Sequence, residues 1–446
     1  MVAIVPAGAV QGAKTYQLDS AQAGGSHQRV KVEVEVEGEL KLNSDGTEVK
    51  HLQLKVNAEL EYVERTLEVG PPQASARVAR SYDKAQAKIR LRDTDLANTL
   101  RDDRRLIVSQ SSETAATSFS PLGPLTRDEL ELIDVPGSGL TLSALLPEKA
   151  MEIGDTWQAA DWAVARLLGL EAINQHDVTL ELTEVKDDLA IITLAGKVAG
   201  AIGGVSSEIE LKGKLNFDLK QRWVTWLALA FQENRAIGHA QPGFKVLTQV
   251  RMVAAPIEAE AGVSDQTITG FPIKAAGGTT LIDFHADSAG YALIHDRRWN
   301  VMLDRHDATI LRLVDRGDLI AQCNISRLPP LADGKQLALE GFEADVKRAL
   351  GKNFGQVVEA AQDVSPEGIR TLRVIVSGTA SELPIQWSYY HLSDDAGHRA
   401  ALVFTLEGSL VERFPQIDRE LIGGFRFLAE KDPTPAKAES ETAAKP

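Results

Sequence analysis

Residues 30–42, VKVEVEVEGELKL, set valine or leucine against charge at almost every step: Val30, Val32, Val34, Val36, Leu40 and Leu42 alternate with Lys31, Glu33, Glu35, Glu37, Glu39 and Lys41. A period of two belongs to an extended strand, whose successive side chains leave the backbone on opposite faces. All the apolar residues therefore share one face and all the charged ones the other. The next segment repeats the pattern with Leu52, Leu54, Val56, Ala58, Leu60 and Tyr62. The two are predicted to pair as a long antiparallel hairpin that turns at Asn43-Ser44-Asp45-Gly46. Such strands run about twice the usual ~5–6 residues. Residues 178–182, 209–219 and 223–231 read the same way. Long antiparallel strands with one charged face predict a large curved sheet that is dry on one side only. The helical spacing around residues 161–168, with WAVARLL as its apolar part, and the segment 125–140 supply the expected cover. A curved sheet closed in this way can enclose an apolar cavity.

A corner interrupts these strands at residues 145–157, LLPEKAMEIGDTW. Pro147 has its φ fixed by its ring and biases Leu146 toward extended backbone, Gly154-Asp155 supplies a tight turn, and Trp157 follows as an apolar anchor. Trp157 reads as a buried pin for the corner; the alternative is a ligand contact at a rim. An L-P-x(5-6)-G-D-x-W corner between antiparallel strands resembles one in exported bacterial β-rich proteins, whose outline is similar to the half-barrel of LolA-like lipoprotein carriers. That resemblance implies an envelope setting rather than an activity.

The chain has 446 residues, 43% hydrophobic and 25% charged, enough for two or three domains of an ordinary soluble kind. Its 63 acidic and 48 basic residues leave a net charge of −15, which disfavours nucleic acid and anionic membrane as partners. Cys323, the sole cysteine, excludes an intrachain disulfide, and it shares a strand face with Leu319, Ala321 and Ile325 as a buried small residue. Residues 2–9 form a short apolar run that ends in Ala7-Gly8-Ala9, the small-x-small pattern of a signal-peptidase site. Residues 1–27 are accordingly expected to be a leader remnant and lead-in, and the protein to be periplasmic or otherwise exported. No other run approaches the ~18 apolar residues of a transmembrane helix.

The first domain is expected over 28–255. Residues 256–278 lose the periodicity, collect Pro, Gly, Ser and Thr, and read as a linker. Residues 279–430 mix shorter strands with helices. Leu339, Phe342, Val346 and Leu350 mark one helix with Gly351 as its cap, and Phe414, Ile417, Leu421 and Phe425 mark another. Three strands, 372–376, 385–391 and 400–406, lie between them. The tail, 431–446, is expected to be disordered. Segregated helices and antiparallel strands predict α+β: a half-barrel sheet with covering helices, then an antiparallel sheet flanked by helices. The opening GYALIHDRRWNVM, residues 290–302, is similar to the start of the Mog1/PsbP-like fold, and the element order to 430, with a last helix carrying Asp418, matches it. The resemblance implies a binding or assembly module.

Asp283, His285 and Asp287 fall at i, i+2 and i+4, a carboxylate-imidazole-carboxylate row that suits a divalent metal, with His295 within reach across a turn. The plainer reading is the polar face of a half-buried strand. Trp387, Tyr389 and His391 share another strand face, with Tyr390 on its back, and line either a ligand groove or the underside of the C-terminal helix. Arg316-Gly317-Asp318 is a hairpin turn before it is a recognition tripeptide. No nucleophile elbow, zinc-protease motif, C-x-x-C or P-loop occurs, so no catalytic residue and no cofactor is expected. The expected function is a non-catalytic, exported bacterial binding or scaffolding protein of the cell envelope. Its partner would be an envelope protein or an apolar small molecule. The alternatives are a carrier of a lipid or acyl chain in the half-barrel, and a hydrolase with an unrecognised site.

Overall fold

A computed structural model describes residues 14–20, 24–42, 48–70, 75–137, 139–275, 277–331 and 335–429. The turn at 43–46, the apolar run 2–9 and the tail 431–446 lie outside the described residues. The chain divides into two compact units, Met1–Ile282 with Val314–Leu319, and Asp283–Leu313 with Ile320–Pro446.

The first unit is built on one 13-stranded sheet. Its strands are β1 (His27–Leu42), β2 (Lys50–Val69), β3 (Ser75–Leu91), β4 (Thr94–Thr99), β5 (Leu106–Ser112), β6 (Ala116–Phe119), β7 (Thr156–Gln158), β8 (Ala172–His176), β9 (Thr179–Lys186), β10 (Leu189–Ile202), β11 (Val205–Asp218), β12 (Trp223–Arg235) and β13 (Gly243–Pro256). The order is β6-β5-β3-β2-β1-β13-β12-β11-β10-β9-β7, with β4 beside β3 and β8 beside β10. β1 and β2 pair in the register that the alternation demands, Val30 opposite Tyr62 and Val34 opposite Ala58, and these side chains are buried. Across the wet face Glu37 stands opposite Lys55 and bonds it, and Lys84 of β3 bonds Glu59 of β2. Such exposed pairs favour this register over its neighbours.

The dry face carries α1 (Arg127–Ile133), α2 (Gly139–Leu142) and α3 (Asp161–Leu168). Thr126 opens α1 with a capping box: its hydroxyl accepts the Glu129 N–H at 3.1 Å, and the Glu129 carboxylate accepts the Thr126 N–H at 2.9 Å. α3 stops at Gly169, whose φ of +69° suits a residue without a Cβ. Leu132, Leu142, Val164 and Leu167 from these helices share one core with Leu60, Ile192, Leu227 and Val250 of the sheet. Each buried leucine is worth about 2 kcal/mol. The gap left at Gln28, Val30, Trp223 and Met252 is about 10 Å³, the size of one water. Residues 256–278 contain α4 (Asp265–Thr269), and one side chain before it enters a core. Val263 is fully buried with Val63, Ala79 and Leu106, and Arg65 Nη1 donates to its carbonyl at 3.0 Å.

The second unit holds two further sheets. β14 (Ile282–Ala286), β15 (Tyr291–His295) and β23 (Phe425–Phe427) form the small one. β16 (Trp299–Asp304), β17 (Thr309–Asp315), β18 (Asp318–Leu328), β19 (Phe354–Val364), β20 (Arg370–Ala380), β21 (Leu383–Ser393) and β22 (Arg399–Glu407) form the other, ordered β16-β17-β18-β22-β21-β20-β19. α5 (Leu339–Leu350) buries Phe342, Val346 and Leu350 against Leu372, Val374, Val376 and Trp387. α6 (Ile417–Gly423) sets Ile417 and Leu421 in a separate core with Tyr390, Leu402 and Phe404.

The architecture is mainly β, with three antiparallel sheets, and this corrects the α+β expectation: strands hold 56% of the described residues and helices 16%. The helical spacings read from the sequence fold as helices, except that the last is shorter than expected: α6 holds Ile417 and Leu421, while Phe414 precedes it and Phe425 opens β23. They are spent on elements of 7, 4, 8, 12 and 7 residues for α1, α2, α3, α5 and α6, whereas β1, β2 and β3 run to 16, 20 and 17. A short helix spans several strands, so little helix covers a large sheet.

Candidate functional site

Arg373 lies in β20 between Leu372 and Val374, which face α5. Alternation turns the guanidinium to the opposite face, where α6 brings Asp418. Arg373 Nη2 donates to Asp418 Oδ2 at 3.1 Å, and the Tyr390 hydroxyl of β21 donates to the same oxygen at 2.7 Å. Asp418 Oδ1 accepts the Arg419 backbone N–H at 3.0 Å. On the other side Glu359 of β19 accepts from Arg373 Nη1 at 2.6 Å and from Arg419 Nη2 at 3.0 Å. The Arg373 guanidinium also stands 5.7 Å from the centre of the Tyr390 ring, a cation–π contact. The Asp418 side chain is 4% exposed and that of Arg373 is 12% exposed, while Glu359 reaches solvent. Two carboxylates thus neutralise two guanidinia across three elements.

Burial raises the pKa of the Tyr390 phenol, and the Asp418 carboxylate beside it raises it further, so the hydroxyl stays a hydrogen-bond donor. Burial works against the Arg373 charge, but Tyr390, Asp418 and Glu359 outweigh it and raise its pKa. Beside this network lies a groove of about 450 Å³. Its walls are residues 361–364 of β19, the loop 365–369, and Arg419 and Ile422 of α6; Ile369, Tyr390 and Phe425 supply its apolar surface. Arg373 and Arg419 in its wall are committed to Glu359 and Asp418, and the Tyr390 phenol keeps its proton, whereas Asp363 and Glu367 of the lining form no ion pair among the described residues.

A second, wider concavity of about 1130 Å³ opens on the first unit, lined by Glu39, Glu208, Glu210, Lys197, Lys245 and Gln232 among others. At its margin His176 Nε2 donates to Asp161 at 3.0 Å while Nδ1 accepts the Val178 N–H at 3.1 Å, which fixes the tautomer.

Trp157 is half-buried against the first core, and its indole N–H donates to the Leu145 carbonyl at 2.8 Å. Leu146 is extended (φ −78°, ψ 150°) and Gly154 takes φ +94°, so the corner closes on its own first residue. Trp387, Tyr389 and His391 lie under α5, not under the C-terminal helix. His391 is 2% exposed, and its Nε2 accepts from Arg399 Nε at 3.0 Å. Asp283 and His285 meet at 3.1 Å, but Arg426 Nη2 stands 3.4 Å from both and takes the place a cation would hold. Asp287 is exposed, and among the described residues no hydrogen bond joins it to them. His295 is buried, its Nδ1 donating to the Asp296 carbonyl at 2.8 Å. Cys323 is buried, which pushes its thiol pKa well up and keeps it unreactive. Among the described residues no group of three or more His, Cys, Asp or Glu is arranged to hold a metal, and no helix is long and apolar enough to cross a membrane.

Arg373, Tyr390 and Arg419 of the groove, and Glu359 beside it, carried no sequence motif. One signal was present: Asp418 falls beside Ile417 and three residues before Leu421, the buried apolar residues of α6. A carboxylate on a buried stripe needs a cation from elsewhere in the fold.

No protein-family model matches the chain. No curated protein matches it in sequence either. Solved structures similar to it include the Ran-binding protein Mog1p of Saccharomyces cerevisiae, at 7% identity and TM-score 0.27 over 33% of this chain and 95% of that one. Cyanobacterial PsbP from Synechocystis sp. PCC 6803 is similar at 14% identity and TM-score 0.25, over 34% of this chain and 98% of that one. Lipovitellin is similar at 8% identity and TM-score 0.31, over 76% of this chain and 32% of that one. Mog1p and PsbP are thus among its structural neighbours, each over about a third of the chain.

Proposed function

We propose that this chain is a non-catalytic binding or scaffolding protein of the bacterial cell envelope, and that the groove beside β19 is a surface with which it binds. One observation carries the reading. The groove is open, and Arg373 and Arg419 in its wall are tied to Glu359 and Asp418 beside it, while Asp363 and Glu367 of the lining form no ion pair among the described residues. Paired ions make a rigid frame for a recognition surface, and the carboxylates left over give that surface its charge. The packing of α1, α2 and α3 against the sheet, with a gap of only about 10 Å³ at Val30 and Met252, favours binding at a surface over carriage of an acyl chain under those helices. The envelope setting rests on the small-x-small pattern Ala7-Gly8-Ala9.

The test is fractionation of the native host, followed by native mass spectrometry and lipid extraction of the recovered protein. A photo-crosslinker at the exposed Arg419 reports the partner. Recovery outside the cytoplasm, without bound lipid and with a defined crosslinked protein, is expected. Stoichiometric lipid would favour the carrier, and a cytoplasmic location would overturn the envelope assignment.

A further inference from the structure

Strands that end a sheet offer a row of unpaired backbone groups, and natural proteins keep such strands short or blunt them with Lys, Pro or bulges. The terminal strands here obey that rule with one exception. β6, β7, β14, β16 and β23 have 4, 3, 5, 6 and 3 residues. β19 has 11, FGQVVEAAQDV, with no Lys, Arg or Pro among them. Among the described residues no strand lies beyond it. Its two bulges fall early, between Phe354 and Gln356 and between Val357 and Glu359, and from Glu359 to Val364 it pairs regularly with β20. Val358 and Val364 are 55% and 60% exposed, although they are large and apolar. The regular stretch runs along the mouth of the groove.

From this geometry we infer that β19 accepts an extended, Lys- or Arg-bearing segment of a partner protein as an added strand, alternate side chains of which enter the groove. The backbone of residues 359–364 supplies the ladder, as in strand addition generally. The apolar surface of Ile369, Ile422 and Phe425 receives the stems. The sign of the charge follows from counting. Arg373 and Arg419 are balanced by Glu359 and Asp418, whereas Asp363 and Glu367 also line the groove and form no ion pair among the described residues. Two uncompensated carboxylates, on a chain of net charge −15, select a basic occupant and repel an acidic one. The inference rests on the binding-module reading and names its partner chemistry.

The probes are two blocked, fluorescently labelled hexapeptides, one alternating Val with Lys and the other Val with Glu, titrated into the full chain by anisotropy. Hydrogen exchange of the complex locates the contact. The Lys peptide is expected to bind at least ~10-fold more tightly than the Glu peptide and to slow exchange at 359–364. The double variant Asp363→Lys with Glu367→Lys, at exposed positions that leave the fold alone, should weaken it ~10-fold or more. Equal affinities, a preference for the Glu peptide, binding without protection at 359–364, or no binding at millimolar peptide would each overturn the inference. So would a dimer of the chain whose contact protects the same residues, since the edge would then belong to a second copy. Failure with both peptides, alongside a partner crosslinked from Arg419 in the host, would leave the binding reading standing and remove only this one.

Discussion

Replacing Asp418 by Asn tests whether the groove wall is held by charge. The side chain is 4% exposed and takes three hydrogen bonds: from Tyr390 at 2.7 Å, from Arg373 at 3.1 Å and from the Arg419 backbone at 3.0 Å. Asparagine keeps the shape and an acceptor for Tyr390, but it removes the charge opposite Arg373. Breaking a buried ion pair from one side costs about 3–5 kcal/mol. Here the cost is reduced because Glu359 still holds Nη1 at 2.6 Å, so about 2–3 kcal/mol is expected, near the range of a hydrogen bond to a charged group. Calorimetry of the whole chain is the assay. The transition of the second unit should fall by roughly 4–12 °C, at about 2–4 °C per kcal/mol for a unit of this size, with the first unit unmoved. A double-mutant cycle with Arg373→Met separates the pair from its neighbours. Once the arginine is gone, Asp418→Asn should cost little, because no guanidinium is stranded. A single-variant loss below about 1 kcal/mol, or no coupling in the cycle, would refute the view that this pair fixes the wall.

Three further outcomes follow from the structure. Burial first, then the charges of Arg399 and Arg370, lower the pKa of His391 from 6.5 to about 4. The folded state therefore binds that proton more weakly than the unfolded chain does. The stabilisation is complete above pH ~6.5 and is lost as pH falls toward about 4, worth about 3 kcal/mol over the window; His391→Gln should flatten the acid limb of urea-derived stability in that range, and an unchanged limb would refute it. Trp157→Ala should destabilise the first unit by about 2–3 kcal/mol, since half-buried packing and the bond to the Leu145 carbonyl are both lost, while Trp157→Phe should lose about 1 kcal/mol. Within 256–278, limited trypsin should cut after the exposed Lys274, leaving Val263 with the first unit and two folded fragments by gel filtration; aggregation of either would count against independent units.

The parts of this fold that the sequence made legible are those governed by a single period. β1 and β2 announce themselves because one face is apolar at every second residue, and α5 because Phe342, Val346 and Leu350 recur at helical spacing. The groove obeys no such rule. Its members lie as far apart as Glu359 and Arg419, and they meet only because Arg373 stands directly opposite Tyr390 across β20 and β21, and Ala361 opposite Arg373 across β19 and β20. The deciding feature is the bulge at Val358. Val357 stands opposite Val376, and the next paired residue, Glu359, stands opposite Ile375. Without the extra residue Val358 would take the place opposite Ile375, and Glu359 would fall opposite Val374, which faces the α5 core. A one-residue slip reverses every side chain beyond it. Glu359 would then stand on the face away from Arg373, and Arg373 and Arg419 would lose the carboxylate they share. A bulge leaves no mark in the pattern FGQVVEAAQDV, because the hydrogen bonds to β20 decide it. The site thus depends on a misalignment that periodicity cannot show, and the exposed Val358 is its visible trace.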